Sequence, residues 1–331
     1  MAAAIVSLAI AAAAPVYAQR AWVIEWLKDY AAGRHDDVAR RLETVASVRQ
    51  LEGDLESLAK NWLKTEPVDA RRRELAAFAL EAALARVDQG TAAGRLVEWG
   101  CRHIRRIAKP GDFEHRWHLA AFAVLGGAVD PDALQAHVTH VKFQFPGEPR
   151  LLFERAVASE LSAADFFTLG RVSASQVRER YEEAARRYRE ATGVPDADVQ
   201  VEAWLRLGRV EGQLGREAEA LAALDEAGRA ADPAVRYLAL LFRGQVLERL
   251  GQMEPARQAY HAALRIAPGA HAATMSLAAL MFRAGERLEA EQAVAALLSR
   301  TPPAPDPWWT YWPADYRRAG VLMQAMRGAL R

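Results

Sequence analysis

The C-terminal half of the sequence repeats itself at an interval of about 34 residues. Gly215 and Gly251 are 36 residues apart, and Gly251 and Gly285 are 34 residues apart. The same residue types recur around each glycine, in the same order. The aligned positions are Trp204, Leu207, Gly208, Ala220, Leu224 and Ala227; then Leu240, Gly244, Leu247, Ala256, Tyr260, Ala263 and Pro268; then Leu277, Ala278, Met281, Ala290, Val294, Leu297 and Pro302. One such unit cannot bury its own apolar face, so the repeat predicts an array of stacked units.

Each recurring position has a physical reason in a pair of antiparallel helices. The small residue of each unit, Gly208 in the first, lets the second helix cross close to the first. The turn glycine, Gly215 in the first unit, lies where the first helix ends, and glycine adopts the required backbone conformation at little cost. A proline such as Pro268 stops the second helix. The spacing therefore predicts helix-turn-helix units.

This set of spacings resembles the tetratricopeptide repeat family, whose pattern places Trp or Leu, then Leu-Gly, Gly, Ala, an aromatic residue, Ala and Pro at these intervals. The resemblance is carried by three units within residues 201–304. It implies a right-handed superhelix whose first helices line a concave groove, with recognition of a protein or peptide partner in that groove. The chain, with its DPWW motif, is also similar to exported bacterial tetratricopeptide-repeat proteins, a likeness that implies no particular activity.

The rest of the chain is predicted to be helical as well, because no stretch shows sustained alternation of apolar and polar residues with β-branched enrichment. The predicted fold class is all-α, an α-solenoid of tetratricopeptide-like repeats with a C-terminal capping helix. The helical patterns on either side of "SAADFFTLGRVSA" are separated by more than a repeat turn, so we expect an inserted loop there. The expected division is residues 1–18, a signal peptide; 19–147, degenerate repeats; 148–200, an irregular repeat with the loop; 201–304, three clear repeats; and 305–331, an aromatic linker and the capping helix.

The first twenty residues have the pattern of a secretory signal peptide. An apolar run from Ala2 to Ala14 is followed by Val16-Tyr17-Ala18, which fits cleavage before Gln19. No Lys or Arg precedes the run, which is the mark of a weak signal peptide. The alternative interpretation of the run is an uncleaved membrane anchor. We expect a periplasmic or secreted protein with no stable membrane span after cleavage.

Composition and motifs argue against several function classes. Lys and Arg number 43 against 42 Asp and Glu, so no net field favours nucleic acid as a partner. The common nucleotide-binding, hydrolase and zinc-protease motifs are absent. The single cysteine, Cys101, lies in a helical pattern without a catalytic signature. We therefore predict no catalytic residue and no cofactor.

Four histidines are candidate metal ligands. His115 with His118, and His137 with His140, form two H-x-x-H pairs, and residues three apart share a helix face. The repeat register places the two pairs on different helices with different orientations, so the four side chains are not expected to converge. We predict packed or surface histidines and no metal site.

The resemblance implies a set of partner-binding positions on the first helices. Together they form a partly apolar floor with arginines, which suits an extended segment with acidic side chains or a free carboxylate. The alternative is that the arginines are solvated and the floor contacts other parts of the same chain. The positions are Glu202, Leu205, Arg209, Gln213, Leu238, Leu241, Gln245, Arg249, Met275, Phe282 and Arg283.

An unusual concentration of aromatic residues follows the last repeat. Trp308, Trp309, Tyr311 and Trp312 fall within five positions. Because a solenoid leaves its last apolar face bare, we interpret the cluster and the helix after it as a cap, with an exposed aromatic binding surface as the alternative. Asp306 followed by Pro307 predicts a helix start.

These observations favour a non-enzymatic scaffold that binds a partner protein in the groove. The alternatives are an enzyme or accessory factor with a site in the irregular middle region, and capture of a ligand such as carbohydrate by the C-terminal aromatic residues.

Overall fold

The computed structural model describes residues 23–45, 48–169, 173–312 and 318–330, with side chains left aside for 48–50 and 165–169. Within these ranges every regular element is helical, as the sequence predicts. No helix in the same ranges is long and apolar enough to cross a membrane. The expected signal peptide, residues 1–18, lies outside the described residues.

The chain divides into two compact units. The first comprises Met1–Ala133 and Asp315–Arg331. Its described helices are α1 (23–31), α2 (His35–Leu42), α3 (Val48–Trp62), α4 (Val68–Leu84), α5 (Thr91–Ile104), α6 (Asp112–Ala128) and α16 (Ala319–Ala329). The second unit comprises Leu134–Ala314, and α7 (Pro131–Gln144) crosses the boundary. The other helices of the second unit are α8 (Pro149–Leu169), α9 (Ala174–Ala191), α10 (Ala197–Gln213), α11 (Glu217–Ala227), α12 (Pro233–Arg249), α13 (Met253–Ile266), α14 (His271–Arg283) and α15 (Arg287–Leu298).

Three antiparallel hairpins, α10–α11, α12–α13 and α14–α15, form where the repeat predicts them. Gly215, Gly251 and Gly285 join the helices of each pair with φ angles of 74°, 73° and 88°. This is the left-handed region that favours glycine, which explains the residue type. Aspartate side chains cap the N-termini of α10 and α12. Asp196 accepts a hydrogen bond from the Val199 amide, and Asp232 accepts one from the Ala234 amide.

The small residues of the repeat lie at helix crossings. A Cβ atom on Gly244 would lie 2.3 Å from Cε1 of Tyr260, on the second helix of the same hairpin. A Cβ atom on Gly208 would lie 2.5 Å from Cγ of Leu224. Both distances are shorter than van der Waals contact, so the predicted close crossing of the two helices is confirmed.

Two expectations need correction. Residues 162–169 continue α8 instead of forming the expected inserted loop. The final helix, α16, is predicted to cap the last repeat, but it belongs to the first unit, where it packs against α6. Arg327 of α16 holds it there through ion pairs with Glu81 at 2.6 Å and Asp36 at 2.9 Å. The apolar side of α16 buries Ala319, Met323 and Met326. A helix pattern shows which side is apolar but not which neighbour will cover it.

Candidate functional site

The first helices of successive hairpins in the second unit lie side by side. Helix α10 contacts α8 and α12, and α12 contacts α14. The surface that these four helices present is called the first-helix face below. It is where the sequence predicts the partner-binding positions.

The predicted positions divide between the core and the surface of this face. Leu205, Leu238 and Leu241 have 0% of their surface exposed, so they are core residues and their assignment to a partner-binding floor is wrong. Each first helix is packed against neighbours on several sides, and these leucines point into that packing. The exposed or partly exposed positions are Glu202, Arg209, Gln213, Gln245, Arg249, Met275, Phe282 and Arg283.

Two arginines occupy equivalent positions near the ends of α12 and α14, and each points back to an earlier hairpin. Arg249 lies beside Gly212 of α10, with its Nε atom 4.0 Å from Glu217 of α11. Arg283 forms an ion pair with Glu248 of α12. On α14, the side chains of Met275 and Phe282 are 48% and 54% exposed. Positive charge and exposed apolar surface therefore lie together on this part of the face.

The aromatic segment, residues 306–312, folds back onto the first-helix face. Its first residue, Asp306, accepts hydrogen bonds from the Ala272 amide at 2.6 Å and from the Trp308 amide at 2.8 Å. Asp306 thus caps the start of α14 and also starts the segment's own 3₁₀ turn, Pro307–Thr310, as its sequence predicts. The N-cap residue of α14, Ala270, provides no side-chain acceptor, so Asp306 supplies one from outside the helix.

The rings of the segment pack on α12. The ring centroid of Trp308 lies 5.8 Å from that of Phe242, and the ring centroid of Tyr311 lies 5.2 Å from it. Tyr311 is buried. Trp312 contacts Tyr311 edge-on at 5.3 Å, whereas Trp309 is 70% exposed. The cluster therefore lies across the first-helix face, and the expectation that it covers the end of the array is wrong for these rings.

Tyr311 completes a buried polar group, called the Glu160 cluster, formed by Glu160, Tyr188, Arg206, Arg209 and Tyr311. Oε1 of Glu160 accepts hydrogen bonds from Arg209 and from the Tyr311 hydroxyl, both at 2.6 Å. Oε2 accepts from the Tyr188 hydroxyl at 2.6 Å and from Arg206 at 3.1 Å. Nη2 of Arg206 also donates to the backbone carbonyl oxygen of Tyr311. The carboxylate has no exposed surface and each of its oxygens has two donors.

The cluster keeps Glu160 ionised. Burial by itself raises the pKa of a carboxyl group, but the guanidinium groups of Arg206 and Arg209 and the hydroxyls of Tyr188 and Tyr311 outweigh it. The pKa of Glu160 therefore lies below its ordinary value of 4.5. The same environment raises the pKa of Tyr311: burial contributes most, followed by the negative charge of Glu160. The hydroxyl of Tyr311 therefore stays protonated, and is a hydrogen-bond donor, throughout the physiological pH range.

Glu160 and Arg206 are not among the sequence-predicted site residues. A signal was present, because both interrupt apolar patterns: Glu160 follows Phe153 by two helical turns, and Arg206 lies between Leu205 and Leu207. Charged residues at such positions are almost never fully buried without a partner. The partner of Glu160 from the aromatic segment cannot be read from any local pattern.

The residues considered for catalysis or metal binding are mostly buried. Burial raises the pKa of the Cys101 thiol to about 12, so the reactive thiolate is strongly disfavoured. His118 on α6 and His137 on α7 are buried, and the ring of His118 packs edge-on against Trp117 at 5.4 Å. His115 and His140 are partly exposed.

Comparison with protein-family models agrees with the hairpin geometry. Residues 201–228 and 237–269 match the family model described as tetratricopeptide repeat. No protein among those with curated functions matches the chain. Among solved structures, it is similar to the crystal structure of NprR in complex with its cognate peptide NprX, with 14% sequence identity and a TM-score of 0.46 over 90% of this chain and 81% of that one. The matched residues include the turn glycines Gly215 and Gly251 and the close-crossing glycines Gly208 and Gly244. Residues 201–228 and 237–269 are therefore tetratricopeptide repeats.

Proposed function

We propose that the protein is a non-enzymatic scaffold that binds a segment of a partner protein on the first-helix face, in the groove of the tetratricopeptide-repeat superhelix. The observation that carries this proposal is the aromatic segment itself. A non-repeat stretch of chain lies on that face, with Asp306 at the start of α14 and Tyr311 at the Glu160 cluster. The face therefore has the hydrogen-bonding groups and apolar surface needed to hold such a segment.

The exposed part of the face defines the partner's chemistry. Arg249 and Arg283 favour acidic side chains or a carboxylate, because guanidinium groups bind carboxylates through paired hydrogen bonds. Both arginines have intramolecular acidic neighbours, which a more acidic partner segment must displace. Met275 and Phe282 offer apolar contacts on the same helix. An extended or helical segment with mixed acidic and apolar residues fits this surface.

We also propose that the protein works outside the cytoplasm, in the periplasm or as a secreted protein. The support is the apolar run from Ala2 to Ala14 and the small-x-small pattern before Gln19. Fractionation of cells expressing the natural chain tests this, with N-terminal sequencing of the recovered protein. Recovery of the intact chain in the cytoplasmic fraction alone would contradict it.

Co-purification tests the binding proposal. The wild-type chain and the double variant Arg249→Glu with Arg283→Glu are used to capture proteins from the same envelope extract, and captured proteins are quantified by mass spectrometry. The matched control is Arg186→Glu with Arg229→Glu, which reverses two exposed arginines outside the first helices. We expect one partner to be retained by the wild type and the control and lost from the first double variant. Equal capture by all three proteins would refute the groove assignment.

A further inference from the structure

We propose that the Glu160 cluster is an anchoring site for the C-terminal tyrosine of a partner protein, and that the aromatic segment occupies this site when the partner is absent. This inference rests on the proposed function, because it assumes that a partner segment binds the first-helix face. It adds the chemical class of the residue that is recognised and the group that competes with it.

The cluster is built on helices and does not depend on the segment for its charge balance. Glu160 lies on α8, Tyr188 on α9, and Arg206 and Arg209 on α10. Without Tyr311, Oε1 of Glu160 keeps its bond from Arg209, and Oε2 keeps those from Arg206 and Tyr188. Removal of the segment therefore leaves a preformed site with one acceptor position open on the carboxylate.

The site selects tyrosine through three contacts. The hydroxyl of the bound residue donates to Glu160 at 2.6 Å. The ring packs edge-on against Phe242 at a centroid distance of 5.2 Å. The guanidinium carbons of Arg206 and Arg209 lie 4.4 and 4.9 Å from the ring centroid, within the range of cation–π attraction. A phenylalanine keeps the last two contacts and loses the first.

A free carboxylate fits this site better than the peptide carbonyl that occupies it. Two guanidinium groups surround one carboxylate, so the helix-borne cluster carries an excess positive charge. Nη2 of Arg206 donates to the Tyr311 carbonyl oxygen, and Nε of the same fully buried side chain has no hydrogen-bond partner. The N–H groups of Nε and Nη2 point to the same side of a guanidinium group, where a carboxylate accepts from both and a carbonyl oxygen takes one.

A tyrosine that ends a chain supplies all of these groups at once. Its hydroxyl reaches Glu160, and the two oxygens of its α-carboxylate reach Nε and Nη2 of Arg206. Tyr311 has a peptide carbonyl in that position because the chain continues to Trp312. The chain's own segment is therefore the weaker ligand for the site, held in place by its high local concentration. A partner with a C-terminal tyrosine is expected to displace it.

The test uses a peptide with the chain's own sequence, acetyl-Asp-Pro-Trp-Trp-Thr-Tyr, in three forms: with a free carboxylate, with a C-terminal amide, and as the free acid with phenylalanine in the last position. Their binding to full-length wild-type protein and to the Tyr311→Ala variant is measured by calorimetry. We expect the free acid to bind the variant at least about tenfold more tightly than the amide does, since a charge-assisted pair is lost in the amide. The phenylalanine peptide is expected to bind at least about threefold more weakly than the tyrosine acid. Wild-type protein is expected to bind the free acid more weakly than the variant does, because its site is occupied.

Equal affinity of the acid and the amide for the variant, or no binding by a variant whose circular dichroism and melting show a folded protein, would overturn the anchoring site. If Tyr311→Ala does not fold, Asp306→Ala replaces it, because this change releases the other end of the segment and keeps Glu160, Tyr188, Arg206 and Arg209. Equal affinity of the acid and the amide for this variant then overturns the anchoring site.

A separate arm distinguishes this inference from the proposed function. The free acid is also titrated into a triple variant with Tyr311→Ala, Arg249→Glu and Arg283→Glu. One outcome is that the triple variant still binds the free acid and that the two arginine changes do not weaken binding of the protein partner. This outcome supports the anchoring site and refutes the role of the exposed arginines. A partner lost on those changes, together with no preference for the acid peptide, refutes the anchoring site alone.

Discussion

The hydroxyl group of Tyr311 donates a 2.6 Å hydrogen bond to Oε1 of Glu160, although the two residues are 151 positions apart in the sequence. This bond joins the segment that follows the last repeat to α8, the first helix of an earlier hairpin in the same unit. Its acceptor is a buried carboxylate that two arginines keep ionised. The aromatic segment is therefore an occupant of the first-helix face.

Replacing Glu160 with Gln is expected to lower the free energy of unfolding by about 3–5 kcal/mol, because it leaves the buried guanidinium group of Arg206 and the partly buried one of Arg209 without their carboxylate. Urea unfolding followed by circular dichroism measures the change. Glu219→Gln on α11, an exposed residue, is the control and is expected to alter stability by less than about 0.5 kcal/mol. Similar stabilities for the two variants would contradict the account of the cluster.

The stability that Glu160 contributes is expected to depend on pH. Its pKa in the folded protein lies below 4.5, so the folded state binds a proton less readily than the unfolded state. The contribution is complete above the unfolded value and is lost as pH falls through the folded one. The difference in unfolding free energy between wild type and Glu160→Gln should stay constant between about pH 7 and 5 and shrink at lower pH. A difference that grows on acidification would show that the carboxyl group is not stabilised in its charged form.

Gly244→Ala is expected to destabilise the protein by about 1–3 kcal/mol, because the new methyl group overlaps the ring of Tyr260. Gly320→Ala in α16 is the matched control, since nothing lies within 4 Å of its added Cβ atom. The control is expected to be neutral or stabilising by up to about 1 kcal/mol, as alanine favours helix. Thermal melts of both variants measure the contrast, and a Gly244→Ala variant as stable as wild type would refute the close crossing.

Trp308 and Trp309 are expected to behave differently, although they are neighbours. Trp308→Ala removes a ring packed on Phe242 and should lower the free energy of unfolding by about 2–3 kcal/mol. Trp309 is mostly exposed, so Trp309→Ala should change the free energy of unfolding by less than about 0.5 kcal/mol. Chemical denaturation of both variants tests this, and equal losses would mean that the segment does not lie on α12 in this way.

The repeat hairpins could be predicted because their determinants are local. Gly251 and Gly285 mark turns within each unit, and Gly244 marks the crossing of two helices joined by a short turn. Residues 162–169 are predicted to form a loop and are helical, because local helix preference is a weak guide to where a helix ends.

The candidate site was only partly predictable. The position of Arg249 and Arg283 in the repeat places them on the first helices, and both have exposed surface there. The same register could not separate Leu205 from a surface residue, since a first helix is packed on several sides. The pairing of Tyr311 with Glu160 joins residues with no regular spacing, so only the folded structure reveals it.

The most direct test of the central claim is the dissociation constant of the co-purified partner, measured by calorimetry with the wild type and with the Arg249→Glu and Arg283→Glu double variant. Circular dichroism establishes that the variant is folded. The account predicts that the dissociation constant rises at least about tenfold in the double variant, since two charge-assisted contacts are reversed. It also predicts no comparable change in the Arg186→Glu and Arg229→Glu control. The same dissociation constant for all three folded proteins would contradict binding on the first-helix face.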